Sequence, residues 1–236
     1  MNNIMNNTLI ISIEGNIGSG KSSIMKFLSI HLNSYIKKNG KSLNICYLQE
    51  PVEIWNTFTD KNNENIIQKY YQDQKKYAFQ FQMMAYISRL SQFKDALSKN
   101  YDVIFTERSI LTDKNVFAKM LYDSEKIEEI EYKIYNKWFY EFSNYIDNIK
   151  IYYIKTNPNI CFDRIIKRNR KGEEEIPLDY LNSCHDYHEK WLNQYKNIFI
   201  HDGNIDINYN DQSDLLGQDD IFNNILNNVY NNIINN

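Results

Sequence analysis

Three glycines, one lysine and three serines are concentrated within nine residues near the N-terminus. They form the run GNIGSGKSS, which closes an apolar run at residues 8–14 and opens a helix-periodic segment at 22–38. Backbone N–H groups of such a loop cradle anions, its lysine reaches the β- and γ-phosphates, and its first hydroxyl after the lysine binds Mg²⁺. This pattern predicts a P-loop for phosphoryl transfer. The predicted nucleotide-binding residues are Gly15, Asn16, Ile17, Gly18, Ser19, Gly20, Lys21, Ser22 and Ser23.

Two acidic residues follow other strand-like runs. Glu107 comes directly after residues 101–106, and Glu50 ends the run at 43–49. Beside a P-loop, Glu107 can hold Mg²⁺, and Arg108 can face a phosphate or a second carboxylate. Glu50 is the best candidate for a base that accepts the proton of an alcohol. The alternatives are a helix-cap acid with a surface arginine and a strand-end acid in a turn.

A long helix predicted at residues 65–98 has an unusual face. Ala78, Gln82, Ala85 and Arg89 recur at i, i+4, i+7 and i+11, so they share one side of the helix. Small residues beside an amide suit a flat base, because Gln donates and accepts along the same base edge. The alternative is a solvent-facing stripe.

Arg164, Arg168 and Arg170 border a charged loop at residues 168–176. Arginines on a mobile lid, here at about 164–176, can close on phosphates and exclude water. The alternative is an ordinary solvated loop.

Short apolar runs alternate with amphipathic segments along the whole chain. Strands are predicted at residues 8–14, 43–49, 101–106, 150–155 and either 198–200 or 205–207. Helices are predicted at 22–38, 65–98 with a break near 72–74, 113–123, 125–145, 158–167, 177–195 and 222–236. This alternation indicates an α/β protein of the three-layer P-loop type, in which helices flank a five-stranded parallel sheet. Ligands of such sheets bind at the carboxyl ends of the strands, where the candidate residues fall.

Composition narrows the classes of protein. The 236 residues carry a net charge of −3 and suit one domain spanning 1–236. This slightly negative net charge gives no support to a nucleic-acid partner. No apolar run approaches the roughly 20 residues of a membrane span. Three well-separated cysteines argue against a disulfide framework, and the N-terminus lacks the features of a targeting peptide. We therefore expect a cytoplasmic protein without a membrane partner.

Six motifs, in this order, make the chain resemble the deoxynucleoside kinase family, which includes deoxycytidine and deoxyguanosine kinases. They are IEGNIGSGKSS, EPVEIW, YAFQFQMMAYISRL, ERSILTDKNVFA, the arginine-rich lid, and IPLDYL followed by two histidines and WL. The resemblance runs over about residues 9–192, whereas the tail after about residue 207 matches poorly.

The resemblance implies that a phosphoryl group passes from ATP, or another nucleoside triphosphate, to the 5′-hydroxyl of a deoxynucleoside. Glu50 would then be the general base. Arg108 would hold the Glu50 carboxylate and the transferring phosphoryl group, and Lys21 would contact the phosphates of the donor. Ser22 and Glu107 would bind Mg²⁺. The lid residues Arg164, Arg168 and Arg170 would clamp the donor phosphates.

The acceptor pocket follows from the same resemblance. Tyr71 and Glu173 would grip the sugar 3′-hydroxyl, and Tyr71 would crowd a ribose 2′-hydroxyl. Gln82 would pair with the base and Phe117 would stack on it. The remaining walls of the pocket would be Trp55 and Phe81.

Arg89 and Asp113 bear on the choice of base. In the resembling family these positions form a charged pair in cytosine- and purine-using members and are apolar in thymidine-using ones. A carboxylate only accepts, so it favours an exocyclic amino group and opposes the O4 of thymine. We expect thymine to be least favoured, with cytosine, adenine and guanine left open. The alternative is a surface salt bridge that never meets the base.

Family members are usually homodimers that pack through helices like 77–97 and 125–145. The second of these helices is predicted to carry an apolar stripe. Its members are Ile127, Ile130, Ile134, Trp138 and Phe142.

Two other functions are weighed against this one. A thymidylate-kinase-like enzyme usually has an Arg before its Glu-Pro and a Gly after it, but this chain has Gln49 and Val52 there. A non-catalytic nucleotide-binding subunit would be expected to lose Lys21, Glu50 or Arg108, and all three are present.

Overall fold

The computed structural model describes residues 8–143, 149–170, 172–173, 175–195, 198–205 and 215–234, with side chains of the last stretch described from 222 onwards. One parallel sheet lies at the centre, with its strands in the order β2-β3-β1-β4-β5. The strands are β1 (Leu9–Glu14), β2 (Ile45–Leu48), β3 (Val103–Glu107), β4 (Ile149–Lys155) and β5 (Ile198–Asp202). The predicted α/β class and five-stranded parallel sheet are therefore confirmed.

The central strand β1 explains why the site forms where it does. All six of its residues are buried, since it pairs with β3 on one side and β4 on the other and is covered by helices on both faces. The register places Ile13 opposite Glu107. The loop after β1 and the residues after β3 thus leave the same edge of the sheet side by side.

Helices cover both faces of this sheet. In the first half of the chain they are α1 (Lys21–Lys38), α2 (Val52–Asn56), α3 (Ile66–Gln72) and α4 (Gln74–Leu97). Next come α5 (Ile110–Thr112), a π-helical segment (Asp113–Ala118), α6 (Lys119–Asp123) and α7 (Glu129–Phe142). The last three are α8 (Pro158–Arg168), α9 (Leu178–Leu192) and α10 (Leu215–Ile234). Within the described part of the chain, no helix is long and apolar enough to span a bilayer.

Several predicted boundaries are wrong in instructive ways. Strand β2 covers only Ile45–Leu48, and α7 begins at Glu129 rather than 125, because Glu125 has a left-handed φ of 57° that ends the preceding helix. The helix expected from 113 begins at Ile110 instead. The fifth strand is the one at Ile198–Asp202, while residues 206–207 of the alternative lie outside the described residues.

The asparagine-rich C-terminal segment is an integral part of the domain. It forms α10, which begins at Leu215, seven residues before the predicted start at 222. Phe222, Ile225, Val229 and Ile233 are buried against α1, and the Phe222 ring stacks on Phe27 with centroids 4.8 Å apart. Asparagines occupy the outer face, so an apolar stripe overcomes the low helix propensity of asparagine.

The apolar stripe predicted for residues 125–145 is mostly not covered within one chain. Ile127 lies before α7 and is buried. In contrast, Ile130 is 66% exposed, Trp138 43% and Phe142 40%. Ile87 on the neighbouring α4 is also 53% exposed, so these side chains form an apolar surface across two helices.

Candidate active site

A cavity of about 640 Å³ opens at the carboxyl edge of the sheet. The P-loop, α2, α4, the π-helical segment and the lid all contribute to its walls. Of the predicted P-loop residues, Ile17, Gly18, Gly20, Lys21, Ser22 and Ser23 line it. Gly15, Asn16 and Ser19 belong to the same loop but do not line the cavity.

Contacts from behind hold the P-loop in shape. The Asn16 side-chain amide donates to the Leu181 carbonyl oxygen at 2.9 Å, and its oxygen accepts from the Ile17 N–H at 2.8 Å. Gly18 has a φ of +78°, and a Cβ there would lie 2.5 Å from the Cys161 carbonyl oxygen. A side chain at position 18 would therefore push the loop away from α8.

Lys21 lies at the base of the loop and is 4% exposed. Its Nζ donates to the Asn16 carbonyl oxygen at 2.6 Å. Burial and the positive charge of Arg108 lower the pKa of Lys21 to about 7, although Glu107 and Glu50 oppose the shift. A negatively charged group in the cavity would reverse this effect.

The side chains of Ser22 and Glu107 meet beside the loop. The Ser22 hydroxyl donates to Glu107 Oε1 at 2.7 Å, and both residues line the cavity. A hydroxyl and one carboxylate suit Mg²⁺, which is usually held by one or two carboxylates, water and substrate phosphates. Among the described residues no group of three or more His, Cys, Asp or Glu could form an all-protein metal site.

Glu50 lies between two guanidinium groups. Its Oε1 accepts from Arg108 at 3.1 Å and from Arg89 at 3.1 Å. Burial favours the neutral carboxyl, but Arg108, Arg89 and Lys21 outweigh burial and hold the pKa of Glu50 well below its ordinary value. The carboxylate is thus ionised, fixed in place and directed into the cavity.

Arg108 adopts a backbone conformation that non-glycine residues seldom take. Its φ is +61°, in the left-handed region. The turn sends the guanidinium back across the sheet edge, where it also donates to the Gly15 carbonyl oxygen at 3.3 Å and lies 5.2 Å from the Phe117 ring centroid. Such conformations persist only where surrounding contacts hold them.

Arg89 has two roles in the geometry, of which the sequence revealed one. Its Nε donates to Asp113 Oδ2 at 3.0 Å, as the pairing of these positions implied. A second nitrogen donates to Glu50, and a third to the Glu107 carbonyl oxygen at 3.0 Å. The pair is buried, with side chains 5% and 2% exposed, so it is not a surface salt bridge, and whether it meets a base stays a prediction. Burial raises the pKa of Asp113 although Arg89 opposes the shift.

The predicted face of α4 points inward along its whole length. Ala78, Gln82, Ala85 and Arg89 are all at most 5% exposed, so the solvent-stripe alternative is also wrong. Gln82 lines the cavity, and among the described residues its buried side-chain oxygen Oε1 has no hydrogen-bond partner. A buried carbonyl oxygen in this state costs free energy until a donor reaches it.

Aromatic rings form the walls on either side of this amide. Trp55 and Phe81 meet edge to face, with centroids 5.6 Å apart, and the Trp55 indole donates to the Ser88 hydroxyl at 2.9 Å. Phe117 lies on the opposite wall, in the π-helical segment that also carries Asp113. Single π-helical turns often occur at functional sites.

The lid residues are drawn together by one carboxylate. Arg168 pairs with Glu173, and Arg170 NH1 lies 3.2 Å from Glu173 Oε1. Arg164 instead donates to the Gly203 carbonyl oxygen at 2.8 Å. Tyr71 faces the same cavity, and burial raises its pKa well above the ordinary value, so its phenol stays a neutral donor.

Sequence reasoning missed several residues of the cavity wall. They are Gln49, Val52, Glu53, Asn56, Ile67 and Tyr180. Helix α2 has only five residues, too few for periodicity to reveal, although EPVEIW contains it. The start of α3 was predicted to within one residue, and a capping box at Asn65 and Gln68 fixes it. Tyr180 lies in the IPLDYL motif, but its residue type alone does not distinguish it among 19 tyrosines.

Comparisons with known proteins agree with this geometry. A family model described as deoxynucleoside kinase matches residues 11–235. A probable deoxycytidine kinase of Fowlpox virus is 40% identical, over 78% of this chain and 72% of its own length. The deoxycytidine kinase of Homo sapiens is 34% identical, with 77% and 74% covered, and the mitochondrial deoxyguanosine kinase of Xenopus laevis is 30% identical, with 77% and 72% covered.

The chain therefore belongs to the deoxynucleoside kinase family. The family model extends to residue 235, whereas the relatives compared above align with 77–78% of this chain. Helix α10 explains the extension, because its buried face completes the core over α1.

The lowered pKa of Lys21 leads to a measurable proton uptake. With a pKa of about 7, free Lys21 is mostly neutral at pH 8, and phosphates bound beside it would raise that pKa because they favour the charged form. ATP binding at pH 8 should therefore take up about one proton, and binding at pH 6 should take up almost none. Calorimetric titration in buffers of different ionisation enthalpy measures this number.

Lys21→Arg provides the control, because arginine stays protonated at both pH values. The uptake at pH 8 should disappear in this variant. An uptake that persists in Lys21→Arg would assign the proton to another group.

Proposed function

We propose that this protein transfers the γ-phosphoryl group of ATP, or another nucleoside triphosphate, to the 5′-hydroxyl of a deoxynucleoside, with Mg²⁺, in nucleotide salvage. The observation that carries the proposal is the placement of Glu50. One cavity contains its carboxylate, the P-loop on one side and the Gln82, Arg89 and Asp113 side chains on the other.

Glu50 acts on the acceptor in this proposal. Its carboxylate is ionised and held by two arginines, so it can accept a proton only from a hydroxyl placed within hydrogen-bond reach. Arg108 contacts both Glu50 and the Gly15 carbonyl oxygen of the P-loop. It can therefore orient the base while it stabilises charge on the transferring group.

The donor side uses the P-loop and the lid. Lys21 would exchange its hydrogen bond with the Asn16 carbonyl oxygen for a phosphate oxygen. Ser22 and Glu107 would hold Mg²⁺, which neutralises developing charge between the phosphates when bound. Arg164, Arg168 and Arg170 are proposed to approach the donor from the lid, where all three line the cavity.

The acceptor pocket is proposed to read sugar and base separately. Tyr71 and Glu173 lie where a sugar hydroxyl would find a donor and an acceptor. Gln82 lines this pocket, and its amide can accept from an exocyclic amino group of a base and donate to a ring nitrogen or carbonyl. Asp113 adds a second acceptor beyond it, and Phe117, Trp55 and Phe81 bound the flat space between.

The relatives support a nucleoside rather than a nucleotide acceptor. The relatives compared above are described as deoxycytidine or deoxyguanosine kinases, and cytosine and guanine both carry exocyclic amino groups. A thymidylate-kinase-like enzyme needs a cation for the acceptor phosphate. The two arginines nearest the proposed acceptor, Arg89 and Arg108, are engaged by Glu50, Asp113 and backbone oxygens.

The apolar surface on α4 and α7 supports a homodimer. Ile87, Ile130, Ile134, Trp138 and Phe142 are 40–66% exposed and rimmed by Lys133–Glu129 and Lys137–Glu141 ion pairs. An apolar centre with a polar rim is typical of a subunit interface. We further propose one catalytic domain over residues 1–236, with its lid at about 164–176, in a reducing cytoplasm where Cys46, Cys161 and Cys184 stay unpaired.

Glu50→Gln should lower kcat by roughly 10² to 10⁴, because the amide cannot accept the hydroxyl proton. The amide oxygen still accepts from Arg108 and Arg89, so the fold and the Kd for ATP should stay near wild type. Steady-state kinetics and calorimetry measure the two quantities. Asp95→Asn, an exposed change on α4, is the control; a kcat for Glu50→Gln within a few-fold of that control would remove Glu50 from this role.

A panel of four deoxynucleosides with ATP and Mg²⁺ tests the base preference. Thymidine should have the lowest kcat/KM, by up to roughly 10⁴, because its O4 would face acceptors at Gln82 and Asp113. Including thymidine monophosphate in the panel tests the nucleotide-kinase alternative. Thymidine as the best substrate would overturn the preference and leave phosphoryl transfer to nucleosides intact.

Replacing Arg89 by Met together with Asp113 by Ala should raise the thymidine-to-deoxycytidine ratio of kcat/KM. Because Arg89 also holds Glu50, kcat should fall for every nucleoside at the same time. An unchanged ratio would show that the pair does not contact the base. The ratio is the quantity to compare, since it cancels the loss at Glu50.

Trp138→Glu should convert dimers to monomers of 28.3 kDa in sedimentation velocity at micromolar concentration. A charge at the centre of the apolar surface would be buried unpaired in the dimer. Asn182→Glu makes the same charge change on an exposed position of α9 and should leave the dimer intact. A wild-type protein that sediments as a monomer would contradict the proposal.

A further inference from the structure

Glu14 is a fully buried acidic residue that does not line the cavity. It ends β1, directly before the P-loop, and its exposed fraction is 0%. Its Oε1 accepts from the Ser109 N–H at 3.0 Å, the Ser109 hydroxyl at 2.7 Å and the Ser12 hydroxyl at 2.5 Å, while Oε2 accepts from the Thr112 hydroxyl. Burying a carboxylate this deeply is costly, so four donors collected around it call for an explanation.

All but one of these donors belong to the segment that follows Arg108. Ser109 is the next residue and Thr112 lies one helical turn later, so Glu14 fastens the chain immediately after the left-handed turn. The turn is also held before that point, because the Arg108 N–H donates to the Ile13 carbonyl oxygen at 3.0 Å and the Arg108 carbonyl oxygen accepts from the Thr106 hydroxyl at 2.7 Å.

The conformation of Arg108 decides where its guanidinium goes. A φ of +61° is unfavourable for a residue with a Cβ, and it relaxes to an ordinary value unless contacts on both sides prevent this. Relaxation would rotate the side chain away from Glu50 and Gly15, which it contacts at 3.1 and 3.3 Å. On the C-terminal side of Arg108, the hydrogen bonds from Ser109 and Thr112 to Glu14 fix the chain.

We infer that Glu14 is a positioning residue for phosphoryl transfer: it holds Arg108 in the left-handed turn and so aims the guanidinium at Glu50. The inference rests on the proposed function, because it assigns to Glu14 an effect on the step in which Glu50 and Arg108 take part. It touches neither substrate and acts only through Arg108.

The test compares Glu14→Ala in two backgrounds. In the wild-type background, kcat should fall on the order of 10², since a misplaced catalytic group costs about that much, while the Kd values for ATP and deoxynucleoside change little. In the Arg108→Gly background, glycine accepts the turn without strain and no guanidinium remains to aim. There, Glu14→Ala should change the residual kcat by no more than about two-fold, within ordinary additivity.

Two further variants separate positioning from general stability. Leu32→Ala removes a fully buried side chain of α1 far from the turn, so it should lower the melting temperature and leave kcat unchanged. Glu14→Gln keeps one oxygen for the Ser109 N–H and should recover most of the lost rate. If Glu14→Ala does not fold, Ser109→Ala with Thr112→Val removes two donors of the same carboxylate and should lower kcat in the same direction.

Three outcomes would overturn the inference. They are a wild-type kcat in the folded Glu14→Ala or Ser109→Ala/Thr112→Val protein, an equal loss in the Arg108→Gly background, and a loss confined to the Kd values. A wild-type chain that phosphorylates no deoxynucleoside would instead refute the proposed function, so the two failures are distinguishable.

Discussion

The parallel arrangement of β1 and β3 is the constraint on which the site depends. Because the two strands are hydrogen-bonded neighbours with Ile13 opposite Glu107, the P-loop and the Glu107-Arg108 turn emerge within hydrogen-bond distance of each other. No side chain has to reach far. The proposed metal ligands Ser22 and Glu107 and the contact of Arg108 with the P-loop follow from this register, whereas α4 adds Arg89 and the chain after β2 adds Glu50.

Charge in the site is balanced by direct pairing at its centre. Glu50 faces Arg89 and Arg108, Asp113 faces Arg89, and Lys21 lies beside Glu107 and Glu50 with its pKa lowered toward neutrality. Such a network pairs most of its buried charges before any ligand is bound, while Arg108 Nε and the Gln82 oxygen have no hydrogen-bond partner among the described residues. Substrate binding then completes an existing network instead of assembling a new one.

Much of this arrangement could be predicted from the sequence, but contacts between residues distant in the chain could not. Apolar runs located four strands and left two positions open for the fifth, and periodicity put Gln82 and Arg89 on one face of α4. Both patterns depend only on near neighbours in the chain. The contact of Arg89 with Glu50 joins residues 39 positions apart, and the π-helical turn around Asp113 has no sequence pattern of its own. Glu14 was interpreted only as the last residue of a strand, since its four donors become visible when β1 and the segment after β3 are placed together.

Arg89 contacts both Asp113 and Glu50, and this restricts how the nucleoside specificity of the enzyme could change during evolution. In the proposed function one guanidinium serves recognition through Asp113 and the reacting centre through Glu50, so exchanging it in a single step would also slow turnover. A viable route would first strengthen the hold of Arg108 on Glu50, and only then release position 89 to a side chain suited to another base. Substrate range in such a chain is therefore expected to shift rarely, and through several changes at once.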